Sequence, residues 1–387
     1  MMAGGGLAAG MDFKHIILAT LGGNIFLSII AVLISIIACK TGLTFALLTR
    51  YSFGSSGSKA ASIFVPVVNL GWYTIQAATY GHFVAQVFHM GQVGEGLCMA
   101  ASAIIMGIFA MFGISAITIL GYIAIPAIVF LSIATAIRSL GVIGGMEALF
   151  AYVPSSDMPL FTGITAVIGT WVLSTATCIA DIMRYAKDTK AAVSATLTGL
   201  LGGNILMIVC GAIAAIAMQN SDLTVILLGF GLVIPSLILM TTNIFTTNAA
   251  NLYSTSLNLS NAFKMERKKM LAILLVLSAL ATLTKPYEIG FLFTFLNILG
   301  TVVPPLSGII LSDYFLVHKG HYAAYDKASF CKWNPVPWIT WAISIALVYM
   351  IPFGLPSLNG IILGAVLYTA LMAISKQRVT TNLAEEA

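Results

Sequence analysis

The sequence predicts an all-α polytopic membrane protein, and three observations carry that fold class. Of 387 residues, 59% are hydrophobic and 8% charged, whereas a soluble domain carries about 25% charged residues. Apolar runs long enough to cross a bilayer, about 20 residues each, recur along the chain. Lys and Arg collect in alternate loops, as the positive-inside rule requires of a multi-span protein.

Taken in order, Met1–Gly10 is too short to span and has neither a basic leader nor a cleavage pattern, so it is not a signal peptide. It reads as the second half of a helix whose first half is absent. Apolar runs follow at 15–39, 60–88, 96–115, 117–137, 160–183, 191–218, 223–253, 270–285, 288–312, 336–353 and 358–375, giving eleven full spans and one fragment. With the 40–59 loop placed inside, 15 of the 18 basic residues are cytoplasmic and only Lys14, Arg138 and Lys285 lie outside. The C-terminus is then cytoplasmic. The net charge of +5 therefore speaks to topology and not to nucleic acid. Cys39, Cys98, Cys178, Cys210 and Cys331 lack CxxC spacing and read as buried thiols, neither disulfides nor metal ligands.

The run from Phe161 to Tyr185 is the first candidate for a site. Gly169, Thr170 and Trp171, then Ser174 to Thr177, put a flexible residue, an aromatic and hydroxyls at mid-span. Backbone that leaves helical geometry there must line a cavity or lie within protein, and a glycine-interrupted span points to a transporter's binding site. The alternative is a plain helix packing small residues against its neighbours. Gly4, Gly5 and Gly6 lie five spans earlier, an odd number, which suits two repeats of opposite orientation.

The candidate membrane acid is Asp181, for which an i,i+3 pair with Arg184 is expected; His82 and His89 read as interfacial packing. A coupling cation would thus need neutral oxygens. Asn243, Thr246 and Thr247 supply them at i, i+3, i+4 on one helix face, and hard cations prefer oxygen. Cross-helix hydrogen bonding is the competing reading. Asn69, Gly71 and Trp72 on the third span offer an amide and an aromatic face, and Trp72 with Trp171 would wall a slot for a flat ring. Trp333, Trp338 and Trp341 suit an interface anchor. No catalytic acid–base pair, metal cluster or activated nucleophile is evident in the spans, which argues against an enzyme. An uncoupled facilitator, or a form left inactive by its truncated first helix, is the rival to a coupled carrier.

KTGLTFALLTRYSFG (40–54), NLGW (69–72), FGISAITILGYIAIPAI (112–128) and NIFTTNAANLYSTSL (243–257) together resemble the cytosine permease branch of the nucleobase:cation symporters, the purine-cytosine permease-like family. The likeness runs from Met1 to about Arg378. It implies the leucine-transporter-type fold: one inverted repeat over 1–138, with its first helix truncated at the N-terminal half, a second over 139–315, and two C-terminal spans with a tail over 316–387. It implies a multi-pass protein of the plasma (inner) membrane importing a neutral nucleobase, most directly cytosine, with co-transported sodium and no organic cofactor. Uracil, hydantoin, purines or a pyrimidine precursor are the alternative substrates. Carried over by residue, Trp72 and Trp171 would sandwich the ring, Thr170 would hydrogen-bond it, and Asn248 would lie near it. Asn69 stands where the cytosine carriers have Gln, and Trp171 where they have Phe. Asn243, Thr246 and Thr247 match the family's sodium ligands. The partners implied are the small-molecule base and the lipid bilayer; oligomeric state is left open.

Overall fold

A chain in hydrocarbon must satisfy every amide within itself, so apolar runs coil into helices. The computed structural model describes residues 1–375 other than 113, 221–225, 227, 230, 232 and 352, and every regular element among them is helical. In order they are α1 (Met2–Gly10), α2 (Phe13–Thr41), α3 (Phe45–Val87), α4 (Gln92–Met111), α5 (Ile114–Ile143), α6 (Met146–Phe150), α7 (Leu160–Ala176), α8 (Cys178–Met183), α9 (Thr189–Leu197) and α10 (Ile205–Met218). After these come α11 (Val233–Phe263), α12 (Arg267–Thr282), α13 (Ile289–Val302), α14 (Pro304–Ser312), α15 (Val336–Met350) and α16 (Pro356–Ser375). Among the described residues, six helical stretches are long and apolar enough to cross a membrane, and α7 and α15 are shorter apolar helices.

Three expectations need correction. The eighth span was expected at 223–253, but α11 runs Val233–Phe263. Its last turns carry Ser254, Thr255, Ser256, Asn258 and Ser260, all buried; hydropathy discounts such residues although protein surrounds them. The expected start at 223–225 lies outside the described residues, as do Lys376 and Arg378.

The second correction concerns glycine. Gly4 and Gly169 do not interrupt their helices; they permit close approach. A Cβ on Gly4 would overlap the Ile208 carbonyl, and one on Gly169 the Leu296 carbonyl. The break in the sixth span falls at Thr177 (φ −135, ψ −74), between α7 and α8. There Thr177 donates its hydroxyl to the Leu173 carbonyl at 2.6 Å.

The third concerns acids. Glu95 and Asp313 are buried alongside Asp181. Each lies just beyond a charge-free run, where composition alone suggests an interface. Glu95 accepts from His82 Nδ1 (2.7 Å), the Tyr287 hydroxyl (2.7 Å) and Lys285 Nζ (3.2 Å). His82 therefore joins a charged network tying α3, α4 and the 283–288 turn, more than the packing role expected of it. Asp181 Oδ1 accepts the Phe45 backbone N–H at 2.9 Å, capping the start of α3 where the helix dipole favours negative charge. Arg184 Nε reaches the Asp181 main-chain carbonyl at 3.3 Å.

The chain divides into two compact units. The first comprises Met1–Gly22, Pro66–Gly163 and Gly202–Phe295. Within it α1 packs against α10 through Gly4 and Gly211. The carbonyls at the end of α1 are taken by the 152–158 loop: Tyr152 donates its hydroxyl to Ala8 (2.8 Å), the Ser155 and Ser156 hydroxyls to Ala9 (3.2 and 2.8 Å), and Met158 N–H to Gly10 (2.8 Å). The second unit comprises Gly23–Val65, Ile164–Leu201 and Leu296–Ala387. Its α14 and α16 pack closely at Gly308, Gly360 and Gly364, and the Trp341 indole donates to the Val302 carbonyl at 2.9 Å.

Candidate functional site

The first unit carries six of the eight residues singled out from sequence, on α3 and α11. On α3, Asn69, Trp72, Tyr73 and Gln76 recur at i, i+3, i+4, i+7 and so share one helix face. Asn69 is 1% exposed. The Trp72 ring meets Phe295 of α13 edge to face, centroids 5.4 Å apart at 76°, a geometry that orients the indole. Gly71 lies against the same Phe295 ring. Phe295 was not foreseen, since one Phe in the run FLFTF looks like any other apolar residue.

Asn248 ties α11 to α3. Its side chain is wholly buried, and its amide nitrogen donates to the Tyr73 carbonyl at 3.2 Å. Among the described residues its carboxamide oxygen has no hydrogen-bond partner, and neither has that of Gln76. A buried acceptor left unmade costs about 1–3 kcal/mol, and each of these oxygens is able to accept an N–H donor. Gln76 escaped the sequence reading; its spacing of four residues from Trp72 was the available signal.

Above Asn248 on α11, the Thr247 hydroxyl donates to the Asn243 carbonyl at 3.0 Å, and the Thr246 hydroxyl to the Thr242 and Asn243 carbonyls at 2.8 and 2.9 Å. Each proton is thus turned back to the helix, leaving oxygen lone pairs to face outward. Neutral oxygens in this state can accept a hard cation. All three side chains are half-buried. Tyr80 fixes the neighbouring turn through its hydroxyl contact with Thr241 at 2.8 Å. Among the described residues there is no His, Cys, Asp or Glu group able to hold a metal.

Thr170 and Trp171 belong to α7 of the second unit. The Thr170 hydroxyl donates to the Val167 carbonyl at 2.6 Å. Trp171 is 39% exposed, unlike its neighbours Val172 and Leu173, which are buried. Helical packing at Gly169 on one side leaves the indole on the other.

Comparison with known proteins gives this geometry its context. The profile of the family described as permease for cytosine/purines, uracil, thiamine, allantoin matches residues 1–372. The chain is 30% identical to the cytosine permease of Escherichia coli K12 over 383 residues, covering 99% of this chain and 89% of that one. Among solved structures, the inward-facing conformation of Mhp1 superposes with a TM-score of 0.82 at 20% identity, covering 97% of this chain and 87% of that one. Mhp1 in a closed conformation with bromovinylhydantoin bound, described as a nucleobase-cation-symport-1 family transporter, gives 0.81 at 20% identity over 96% and 88%. The fold is accordingly the leucine-transporter type expected from sequence. The chain belongs to the family of permeases for cytosine/purines, uracil, thiamine and allantoin, and it is a membrane transporter, not an enzyme.

Proposed function

We propose that the protein imports a neutral nucleobase, cytosine first among the candidates, driven by sodium. The observation that carries this reading is the pair of partnerless carboxamide oxygens, Asn248 and Gln76. Gln76 follows Trp72 by four residues on α3, and Asn248 is tied to the same helix through the Tyr73 carbonyl. Such oxygens accept N–H bonds from an uncharged ring edge, and Trp72 offers its face to the same ring. Stacking of a base on an aromatic side chain is worth about 1–3 kcal/mol. Asn69, on the same face of α3, belongs to this substrate set. Likeness to the Escherichia coli cytosine permease over nearly the whole chain favours cytosine over hydantoin, purines or uracil.

Asn243, Thr246 and Thr247 hold the sodium ion in this reading. Sodium and base favour one common state, a reciprocal linkage of about 1–3 kcal/mol, and alternating access carries both across. The distribution of basic residues supports a cytoplasmic C-terminus, and membership of the permease family supports the inner membrane.

The test is uptake of radiolabelled cytosine by cells expressing the full chain, with sodium or with potassium in its place, for the wild type and Thr246→Ala. Uptake should require sodium, and the substitution should reduce it at least tenfold. Saturable uptake unaffected by either change would replace sodium coupling with facilitation or another ion. Competition by excess unlabelled hydantoin, uracil or adenine then ranks the alternative substrates.

A further inference from the structure

Asp313 is a wholly buried carboxylate for which the transport site has no use. It opens a π-helical turn, Asp313–Val317, directly after α14, and such turns gather at functional positions. Its Oδ1 accepts the Tyr368 hydroxyl of α16 at 2.6 Å and its Oδ2 the Tyr322 hydroxyl at 2.5 Å. His318 Nδ1 lies 3.6 Å from Oδ2 and 3.0 Å from the Asp313 main-chain carbonyl. Among the described residues His318 is the cationic group within ion-pair distance of this carboxylate, and its side chain is 11% exposed, enough for protons to reach it.

Tyr322 and His318 begin the segment 318–335, which lies along residues 50–56 of α3 as a strap. The Tyr322 ring stacks on Tyr51, centroids 3.9 Å apart, and meets Tyr314 edge to face. The Tyr51 hydroxyl donates to the Ala323 carbonyl at 2.7 Å, and Arg50 hydrogen-bonds Tyr325. Farther on, main-chain bonds join strap and helix around the kink at Gly54: Ser55 N–H to Cys331 and Ser56 N–H to Lys332, each 2.8 Å, and Asn334 N–H to Phe53 at 3.1 Å. Gly54, at φ +80, admits the Cys331 carbonyl where a Cβ would stand 2.6 Å from it. Burial, and then the Asp313 charge, push the Tyr322 phenol well above its ordinary range, so it remains a donor. The titratable groups around the carboxylate are Tyr314 on its own turn, His318 and Tyr322 on the strap, Tyr368 on α16, and Tyr51 behind Tyr322. Cys331 lies beyond Tyr368.

We infer that Asp313 and His318 form a proton-binding site that fastens the 318–335 strap. When His318 carries its second proton, imidazolium faces carboxylate and the strap is held at its root. When that proton passes to solvent, the attraction between ring and carboxylate is lost, the two phenol donors remain, and the strap loosens.

Hydrogen exchange of the full chain in lipid nanodiscs tests this without reference to the transported solute. The probes are the amides of Ser55, Ser56 and Asn334, and that of Gly320, which donates to the Tyr314 carbonyl at 2.7 Å, measured from about pH 5.5 to 8.5 and divided by intrinsic rates. Their protection should fall at least fivefold as pH rises in the wild type. His318→Gln, which keeps a hydrogen-bonding side chain, should show one low, pH-independent level, while amides within α2 and α16 stay protected and certify the fold. Tyr322→Phe should lower protection at every pH yet keep the step. A flat wild-type profile, or a step that survives in His318→Gln, overturns the proposal.

Discussion

At the scale of single residues, glycine shows how one residue type carries two meanings. In mid-helix, Gly→Ala ordinarily stabilises by about 0.5–1 kcal/mol, because alanine loses less backbone entropy on folding. At Gly169 a Cβ would overlap the Leu296 carbonyl, and overpacking of that kind costs about 1–3 kcal/mol. The steric term wins, so Gly169→Ala should lower the melting temperature of the purified protein, whereas Gly199→Ala, with open space around its Cβ position, should not. The sequence placed a special residue at 169 but could not separate a flexible joint from a close contact. The distinction rests on a backbone more than a hundred residues away. For the same reason Gln76 and Phe295 stayed hidden: the sequence gives their spacing along α3 and α13, while their role depends on what lies opposite.

At the scale of elements, the helices themselves were legible, because an apolar run in lipid has no alternative to coiling. Register was less so. The polar second half of α11 buries five small polar side chains from Ser254 to Ser260, and hydropathy cannot tell a polar residue facing protein from one facing water. The i, i+3, i+4 spacing of Asn243, Thr246 and Thr247 was readable, since it depends on helical geometry alone. Helix ends invite a further test. Asp12 caps α2, its carboxylate accepting the His15 backbone N–H at 2.9 Å and the His15 ring at 2.8 Å. Burial alone would push this carboxyl up, but those hydrogen bonds and the His15 charge hold it below its ordinary range. A depressed carboxyl stabilises the fold above the unfolded value, near 3.9, and that contribution vanishes as pH falls through the folded value. Asp12→Ala should therefore destabilise at neutral pH, by an amount toward the low end of the roughly 0.5–2 kcal/mol of a lost cap, because the side chain is 37% exposed. The difference from wild type should disappear in acid, as thermal unfolding from pH 7 down to pH 3 would reveal.

At the scale of the whole molecule, composition decided the class before any residue was inspected. With 8% charged residues, water cannot be the solvent for most of the surface. What composition could not supply was the fate of the few charges left. Glu95 and Asp313 lie at the ends of apolar runs, where sequence suggests exposure, yet both are enclosed by partners drawn from distant parts of the chain. The proposed sodium site makes a prediction at this scale as well. A ligand that binds the folded state alone stabilises it by about 2.7 kcal/mol at a hundredfold excess over its dissociation constant. Sodium should raise the melting temperature of the purified protein in a saturable way that potassium does not reproduce, and Thr246→Ala should abolish the shift. An equal response to both salts would count against a specific site on α11.

The loop that serves the end of α1 carries a further implication. Its hydroxyl and amide protons go to main-chain carbonyls of Ala8, Ala9 and Gly10, groups every amino acid possesses. Selection at those three positions therefore acts on bulk, while the chemical information sits in Tyr152, Ser155 and Ser156. Sequence drift should consequently be lopsided: Ala8 and Ala9 free to exchange for other small residues, the glycines of α1 held by close packing, the loop bound to its donors. A protease cut between Tyr152 and Met158 would do more to release α1 than an exchange of small residues at Ala8 or Ala9.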